Sequence, residues 1–366
     1  MMLHLYFGRR FLNSFLKVSA ILALLIFVIE WLENIRGLSK YGVSFTESLI
    51  LAASRTPSFV LQTLPIIVML SALAFCVGLA RSNEFVISRA VGVSALSAMA
   101  FPAFYTFTLG LAAILVLNPL AATFSAKHTE LRAEYSGSKR SAVSFGEDGF
   151  WLRQKDEDGH TVIHAQNTNR RGTSLRAATA LKFNEEGAVI SRLFSNTAIL
   201  NKRQWIFTNG KYWHIDRNTP NPEKTAETFE IKRFDTDITP EQILEGYPKP
   251  NTVPIWDMPQ MIRTIQAAGF SSLPHMIHFN IELARPLMLV AMIILGAAFT
   301  LQNARLGNLG VSVFLALICG FALYFLQNLA MTLGEAGEIP VFAAAWAPPL
   351  SGLLLALGMF LKFEDG

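Results

Sequence analysis

Few residues in this chain are spaced for catalysis. Cys76 and Cys319, the two cysteines, both fall inside apolar runs, where neither a structural disulfide nor a thiolate metal site is expected. The seven histidines are scattered. His160 and His164 share a hairpin pattern, and His275 and His278 straddle the lead-in to a later apolar run, so all read as surface or interfacial side chains. The sequence holds no GxxxxGK[ST] phosphate loop, no HExxH, no paired CxxC and no GxSxG, which argues against P-loop ATP binding and against the common hydrolase sites. A membrane enzyme acting on envelope lipids would need a convergent Asp/His/Lys/Ser set at one depth, and none is visible.

Two other patterns carry charge where it is costly or conspicuous. Glu30 lies near the outer end of the first apolar run, followed by Glu33, Arg36 and Lys40, and Glu282 and Arg285 open the fourth. Charges at membrane depth pair or line a polar cavity. Glu282 and Arg285, three apart on one helix, can meet. An interfacial ion pair and a vestibule for a charged amphiphile both fit. The second pattern is Arg81–Ser94, RSNEFVISRAVGVS, a polar break between two apolar runs. Ser82 or Asn83 can cap a helix, Glu84 complements its first turn, and Gly92 is placed to end it. Between them Phe85, Val86, Ile87, Ala90 and Val91 stand beside Glu84 and Arg89. Such a short helix either rests on headgroups or is a knob offered to a cytoplasmic partner.

The elements that position these residues are mostly membrane spans. Of 366 residues, 52% are hydrophobic and 16% charged. Residues 119–274 carry 20 of the 31 Lys/Arg and 18 of the 27 Asp/Glu, so the rest of the chain is as charge-poor as lipid requires. No basic run suggests nucleic acid. Six apolar runs, near 11–32, 57–79, 95–118, 283–301, 309–330 and 341–361, are long enough to cross about 30 Å of hydrocarbon. The first reads as a retained span, since no small-residue cleavage site follows it. Arg9, Arg10, Lys17, Arg81, Arg89, Arg305 and Lys362 outnumber Arg36, Lys40 and Arg55 across the membrane. That bias predicts cytoplasmic termini, a cytoplasmic Arg81–Ser94 and an external insertion.

The insertion 119–274 has an antiparallel β pattern of roughly eight strands, implying a sandwich or open barrel. Hairpins are expected at Asp158–Gly159, at Glu185–Gly187 and, most strongly, at Asn209–Gly210 between Trp205–Thr208 and Lys211–Ile215. Phe229, Ile231 and Arg233 alternate in a further strand. Its aromatics, Phe150, Trp151, Phe183, Phe194, Trp205, Trp213 and Phe229, fit either a core or an apolar groove. A short amphipathic helix with Met258, Ile262 and Ile265 leads back to the spans.

The whole chain resembles the LptF/LptG (YjgP/YjgQ) family, the permease subunits of the lipopolysaccharide export ABC transporter. Six spans split three and three by a β insertion are that family's layout. RSNEFVISRAVGVS is similar to its loop of acidic, apolar and basic residues ending in Gly-x-Ser. Within the family, LGEAGEIPVFAAAWAPP (333–349) and the EDG tail look more like LptG, with an LptF-type paralogue as the alternative. A lipoprotein-extracting or mechanotransmitting ABC permease would have four spans rather than six.

The resemblance implies a membrane α-helical fold with a periplasmic β-jellyroll-like domain: spans in 1–118 and 275–366, the β domain in 119–274. It implies a transport subunit of the bacterial inner membrane rather than an enzyme. No cofactor is expected in this chain, with ATP and Mg held by a partner ATPase. The implied partners are an LptB dimer, LptF, LptC and lipopolysaccharide. The loop near 82–92 would be the coupling helix seated in a groove of LptB, which gives that role to Arg81, Glu84, Phe85 and Arg89. Spans one and five are similar to those that form lateral gates. Basic residues near the outer end of span one are associated in the family with the lipid's phosphates. Glu30 stands here where a lysine is found in better-known members, leaving Arg36 and Lys40 a turn or two further on.

Overall fold

A computed structural model describes residues 2–38, 42–82, 84–90, 92, 94–135, 143–146, 149–156, 159–169, 172–184, 186–215, 223, 226–236, 238–239, 243, 249–267, 270–303 and 309–364. They fall into two compact units. One comprises Met1–Ser136, Pro250–Trp256 and Leu273–Gly366, the other Gly137–Lys249 and Asp257–Ser272.

The first unit is helical. In chain order it contains α1 (Met2–Leu38), α2 (Phe45–Arg81), α3 (Glu84–Ala90), α4 (Ala95–Ala112), a π-helical turn (Ala113–Leu117) and α5 (Asn118–Tyr135). Three helices belong to its C-terminal part: α7 (Leu273–Asn303), α8 (Leu309–Ala336) and α9 (Val341–Glu364). Six helical passages are long and apolar enough to cross a bilayer, as the sequence predicted. α2 and α7 are the most enclosed, whereas α1 and α8 turn most of their surface outward. α2 starts with a reciprocal cap: Ser44 Oγ accepts from Glu47 N at 3.3 Å, and Glu47 Oε2 accepts from Ser44 N at 2.7 Å.

Two boundaries differ from the sequence reading. The third passage runs on to Tyr135, so position 119, where the insertion was expected to begin, lies inside a helix. α7 starts at Leu273, ten residues before the apolar run at 283, and so Glu282 and Arg285 sit well inside it. The extension at 118 passes through Pro119, which has no N–H to donate. The ladder slips there, with Asn118 N bonding the Ala113 carbonyl five residues back.

At Pro65 and Pro348 the carbonyls left free are taken up by side chains from neighbouring helices. Pro65 cannot bond the Leu61 carbonyl, which accepts instead from Arg285 Nη1 of α7. Pro348 frees the Ala344 carbonyl, and Gln327 Nε2 of α8 donates to it at 3.3 Å. In a membrane interior each such substitution removes an unsatisfied polar group. The prolines thereby fix how α2 meets α7 and how α8 meets α9.

The second unit is one antiparallel sheet of seven described strands and a helix. The strands are β1 (Val143–Gly146), β2 (Gly149–Asp156), β3 (Gly159–Thr168), β4 (Ser174–Phe183), β5 (Val189–Asn201), β6 (Gln204–His214) and β7 (Glu227–Asp235). Each pairs with the next in sequence, β1 through β7. The expected β insertion is present, but its described strands form an up-and-down meander without a Greek-key crossover. Most connections are too short to carry one. α6 (Met258–Ala267) supplies Ile265 to a core containing Phe150, Leu152, Ile163, Leu175, Trp205 and Phe207.

The predicted Asn209–Gly210 hairpin is corrected. β6 runs unbroken from Gln204 to His214, and Asn209 adopts φ 51° within the strand. The left-handed backbone that Asn tolerates makes a crease here instead of a turn. β3 buries Ile163 and Ala165, then Thr168; β4 buries Leu175, then Ala178 and Ala180. β5 buries Leu193 and Ser195, then Ala198 and Leu200. The inward parity thus switches at Gln166, Ala177, Asn196 and Asn209, which lie opposite one another across four strands. Ala177 has φ 49° in that row. The buried Ser195 hydroxyl stitches it, accepting from Thr197 N and Thr208 N at 3.2 Å.

Candidate functional site

The helix expected between 82 and 92 forms as α3, seven residues from Glu84 to Ala90. Its neighbours arise locally. Ser82 ends α2, its Oγ donating to the Gly78 carbonyl at 2.9 Å, and is a C-cap rather than the N-cap proposed from sequence. Asn83 lies outside the described residues. Gly92, at φ 89°, takes the left-handed backbone after the helix. Ser94 N-caps α4, accepting from Ser97 N at 3.1 Å. The Gly-x-Ser ending of the loop is therefore one helix stop followed by the next helix start.

Glu84 does not stand free. Its carboxylate forms an ion pair with Arg10 of α1 and accepts from Tyr6 Oη at 3.1 Å. Arg10 Nη1 also donates to Tyr6 Oη at 2.9 Å, closing a three-membered ring of contacts. Burial alone would raise the Glu84 carboxyl. Hydrogen bonds from Arg10, Ser82 and Tyr6 outweigh that effect and hold it below its usual 4.5. Sequence reasoning missed Arg10 and Tyr6 as partners, because 74 and 78 residues separate them from Glu84. Arg10 signalled only the orientation of the first span.

The other residues assigned to this loop separate into anchor and face. Phe85 is 7% exposed and belongs to the core with Phe7, Phe11 and Phe75. It fastens α3 to the bundle, because an aromatic next to an open core gains more from burial than from display on a surface helix. Ile87, 61% exposed, is the large apolar side chain presented outward among the described residues of α3. Arg81 is exposed at the end of α2. Arg89 lies in the last turn of α3, and its side chain is outside the described part of the structure.

At the opposite end of α1 lie the residues weighed for anion contact. Arg10 and Glu30, 20 residues apart in sequence, stand about 30 Å apart along the helix, the thickness of the hydrocarbon. Glu30 is buried and turned toward α2, with Arg55 Nη1 at 3.3 Å from its Oε2. That contact lacks hydrogen-bond geometry. Arg55 also lies over the Phe59 ring, 4.8 Å from its centroid. Glu30 thus acts as an internal counter-charge. Arg36, in the last turn of α1, is exposed, and Lys40 lies outside the described residues. Glu30, Arg36 and Lys40 lie close together in the sequence, but the fold sends Glu30 and Arg36 to different faces of α1.

Glu282 and Arg285 form the pair expected of them, deep in the bundle rather than at its surface. Arg285 Nε donates to Glu282 Oε2 at 2.9 Å, and a second contact joins Arg285 Nη2 to Oε1. His278 Nε2 lies 3.8 Å from the same carboxylate. With Arg285 also on the Leu61 carbonyl, the group ties α7 to α2.

The sequence model for the lipopolysaccharide export system permease LptF/LptG matches residues 5–362. The chain belongs to this family. Six apolar passages among the described residues, in a chain of this family, mark a multi-pass inner membrane protein. The lipopolysaccharide export system permease protein LptG of Escherichia coli K12 is 20% identical over 254 residues, covering 65% of this chain and 63% of that protein. The protein of the same name from Escherichia coli O6:H1 gives the same values. The match thus spans somewhat less than two thirds of the length of these relatives. Among the described residues no group of three His, Cys, Asp or Glu side chains is arranged to hold a metal.

Proposed function

We propose that this family member is the LptG-type subunit of an ABC exporter that draws lipopolysaccharide out of the inner membrane and passes it to a periplasmic bridge. The observation that carries the reading is α3: a short helix between two spans, anchored by Phe85, displaying Ile87 and holding a charged Glu84. A partner ATPase dimer of the LptB type would grip it, with ATP and Mg bound in that partner, and LptF and LptC would complete the assembly. Both termini and α3 face the cytoplasm in this reading, and the β unit faces the periplasm. The resemblance of residues 333–349 and of the EDG tail to LptG favours this subunit over LptF.

The physical task suits these parts. Exposing acyl chains to water costs about 0.8 kcal/mol per CH₂, so extraction needs an apolar path and an energy source. The outward apolar faces of α1 and α8 offer walls for the chains. Arg36, in the last turn of α1, and Lys40, four residues on in sequence, would meet the phosphates with charge-assisted hydrogen bonds. Glu30 would hold Arg55 rather than touch lipid. Closure of the ATPase dimer would shift α3, narrow the space between the two permeases and expel the lipid outward. The test is to replace Glu84 with Ala or Lys in the reconstituted complex. ATP hydrolysis should continue while lipid release is lost; normal export in these variants overturns the assignment.

A further inference from the structure

Resting on that coupling reading, we propose that Arg10 and Tyr6 form a clasp that fastens α3 to the start of α1, so that displacement of α3 reaches α1 directly. α3 is flanked by Ser82, an exposed C-cap, and by Gly92 in left-handed backbone. A connector of this kind, left to itself, would absorb a push by rotating its own dihedral angles. Three contacts on the far side prevent this. Glu84 is ion-paired with Arg10, Tyr6 donates to the same carboxylate oxygen, and Arg10 is held against Tyr6. Directly beneath, Phe85 packs into the core that contains Phe7 and Phe11 of α1.

The clasp has a built geometry. Arg10 Nη2 lies 3.7 Å from where a Cβ at Gly78 would stand, an ordinary contact distance, so the guanidinium rests against α2 as well as α3. Tyr6 and Arg10 are one turn apart on α1 and present their polar ends together. The Tyr6 ring also lies under the guanidinium, 5.9 Å from centroid to Cζ. Glu84 thus has one edge committed to α1 while α3 itself is offered to the ATPase. α1 is a helix with most of its surface outward, and it continues unbroken to Leu38. A rigid helix clasped at one end carries motion to the other. Arg10 and Tyr6 are positioning residues in this scheme; neither contacts lipid or nucleotide.

The experiment uses the full permease complex with its ATPase, reconstituted in proteoliposomes, and reads lipid released per ATP hydrolysed. Arg10→Met should co-purify with the ATPase as the unsubstituted chain does and lower that ratio at least fivefold. Arg10→Lys, which keeps the charge, should restore it to within twofold. A merely structural role would alter yield and melting temperature without changing the ratio. An unchanged ratio in Arg10→Met with a lowered one in Glu84→Gln overturns the clasp and leaves the coupling role of α3 standing. An unchanged ratio in both overturns both. Should Arg10→Met fail to accumulate, Tyr6→Phe, which removes only the hydroxyl, carries the same test: a lowered ratio supports the clasp and an unchanged one overturns it.

Discussion

Removing one partner of the Glu282–Arg285 pair should damage the protein more than removing both. Glu282 is 1% exposed and Arg285 9%, and together they make two contacts with each other and one with the Leu61 carbonyl. Glu282→Ala leaves a guanidinium without its counter-charge in a dry interior, which costs about 3–5 kcal/mol. Arg285→Ala strands the carboxylate and also orphans the Leu61 carbonyl that Pro65 cannot satisfy, adding about 1–3 kcal/mol. In Glu282→Leu/Arg285→Leu the orphaned carbonyl is the chief loss, again about 1–3 kcal/mol. The expected order of damage is Arg285→Ala, then Glu282→Ala, then the double variant. At about 2–4 °C per kcal/mol for a unit of this size, Glu282→Ala should melt about 6–20 °C below the unsubstituted protein in mild detergent. A double variant as unstable as Arg285→Ala, or a Glu282→Ala shift under about 3 °C, would refute the reasoning.

Other outcomes follow from single sites. Ala177 at φ 49° stores about 1–2 kcal/mol of left-handed strain, so Ala177→Gly should stabilise the β unit by about 0.5–1 kcal/mol after the entropy of glycine is subtracted, read by tryptophan fluorescence during denaturation. A Cβ at Gly110 would stand 2.5 Å from Pro286 Cα, so Gly110→Ala should destabilise the helical unit by about 1–3 kcal/mol. Gly37→Ala, with nothing within 4 Å, should instead gain about 0.5–1 kcal/mol of helix propensity; both are read as melting shifts. Glu84 has a lowered pKa when folded, so it binds fewer protons there than in the unfolded chain. Its stabilising contribution is present above the ordinary value of 4.5 and is lost as pH falls through the lower folded value. Hydrogen exchange in 82–92 should stay slow from pH 7 to 5 and quicken only below 4.5; quickening near pH 6 would contradict the clasped carboxylate.

What was legible in the sequence was what repeats or lies close along the chain. Six spans stood out because lipid tolerates so few charges, and the β insertion because its alternation contrasts with them. The turn between Asn184 and Ala188 was legible because Asn184 and Gly187 bond locally. Asn209–Gly210 misled for the same reason: Asn favours left-handed backbone wherever the chain needs it, and here the need was a crease set by three neighbouring strands. Long-range pairing was illegible. Nothing in spacing joins Arg10 to Glu84, Arg55 to Glu30 or Arg285 to Leu61, since each contact depends on how helices pack. The burial of Phe85 was illegible too, because a helical pattern does not say which apolar face meets the core.

The most direct test of the exporter assignment is affinity purification of the full chain from its native membrane in mild detergent, with every co-purifying subunit identified and counted. An ATPase dimer, one related six-span subunit and a single-span periplasmic protein are the expected companions. Recovery of this chain alone, or as a homo-oligomer without an ATPase, would contradict the assignment by removing its energy source.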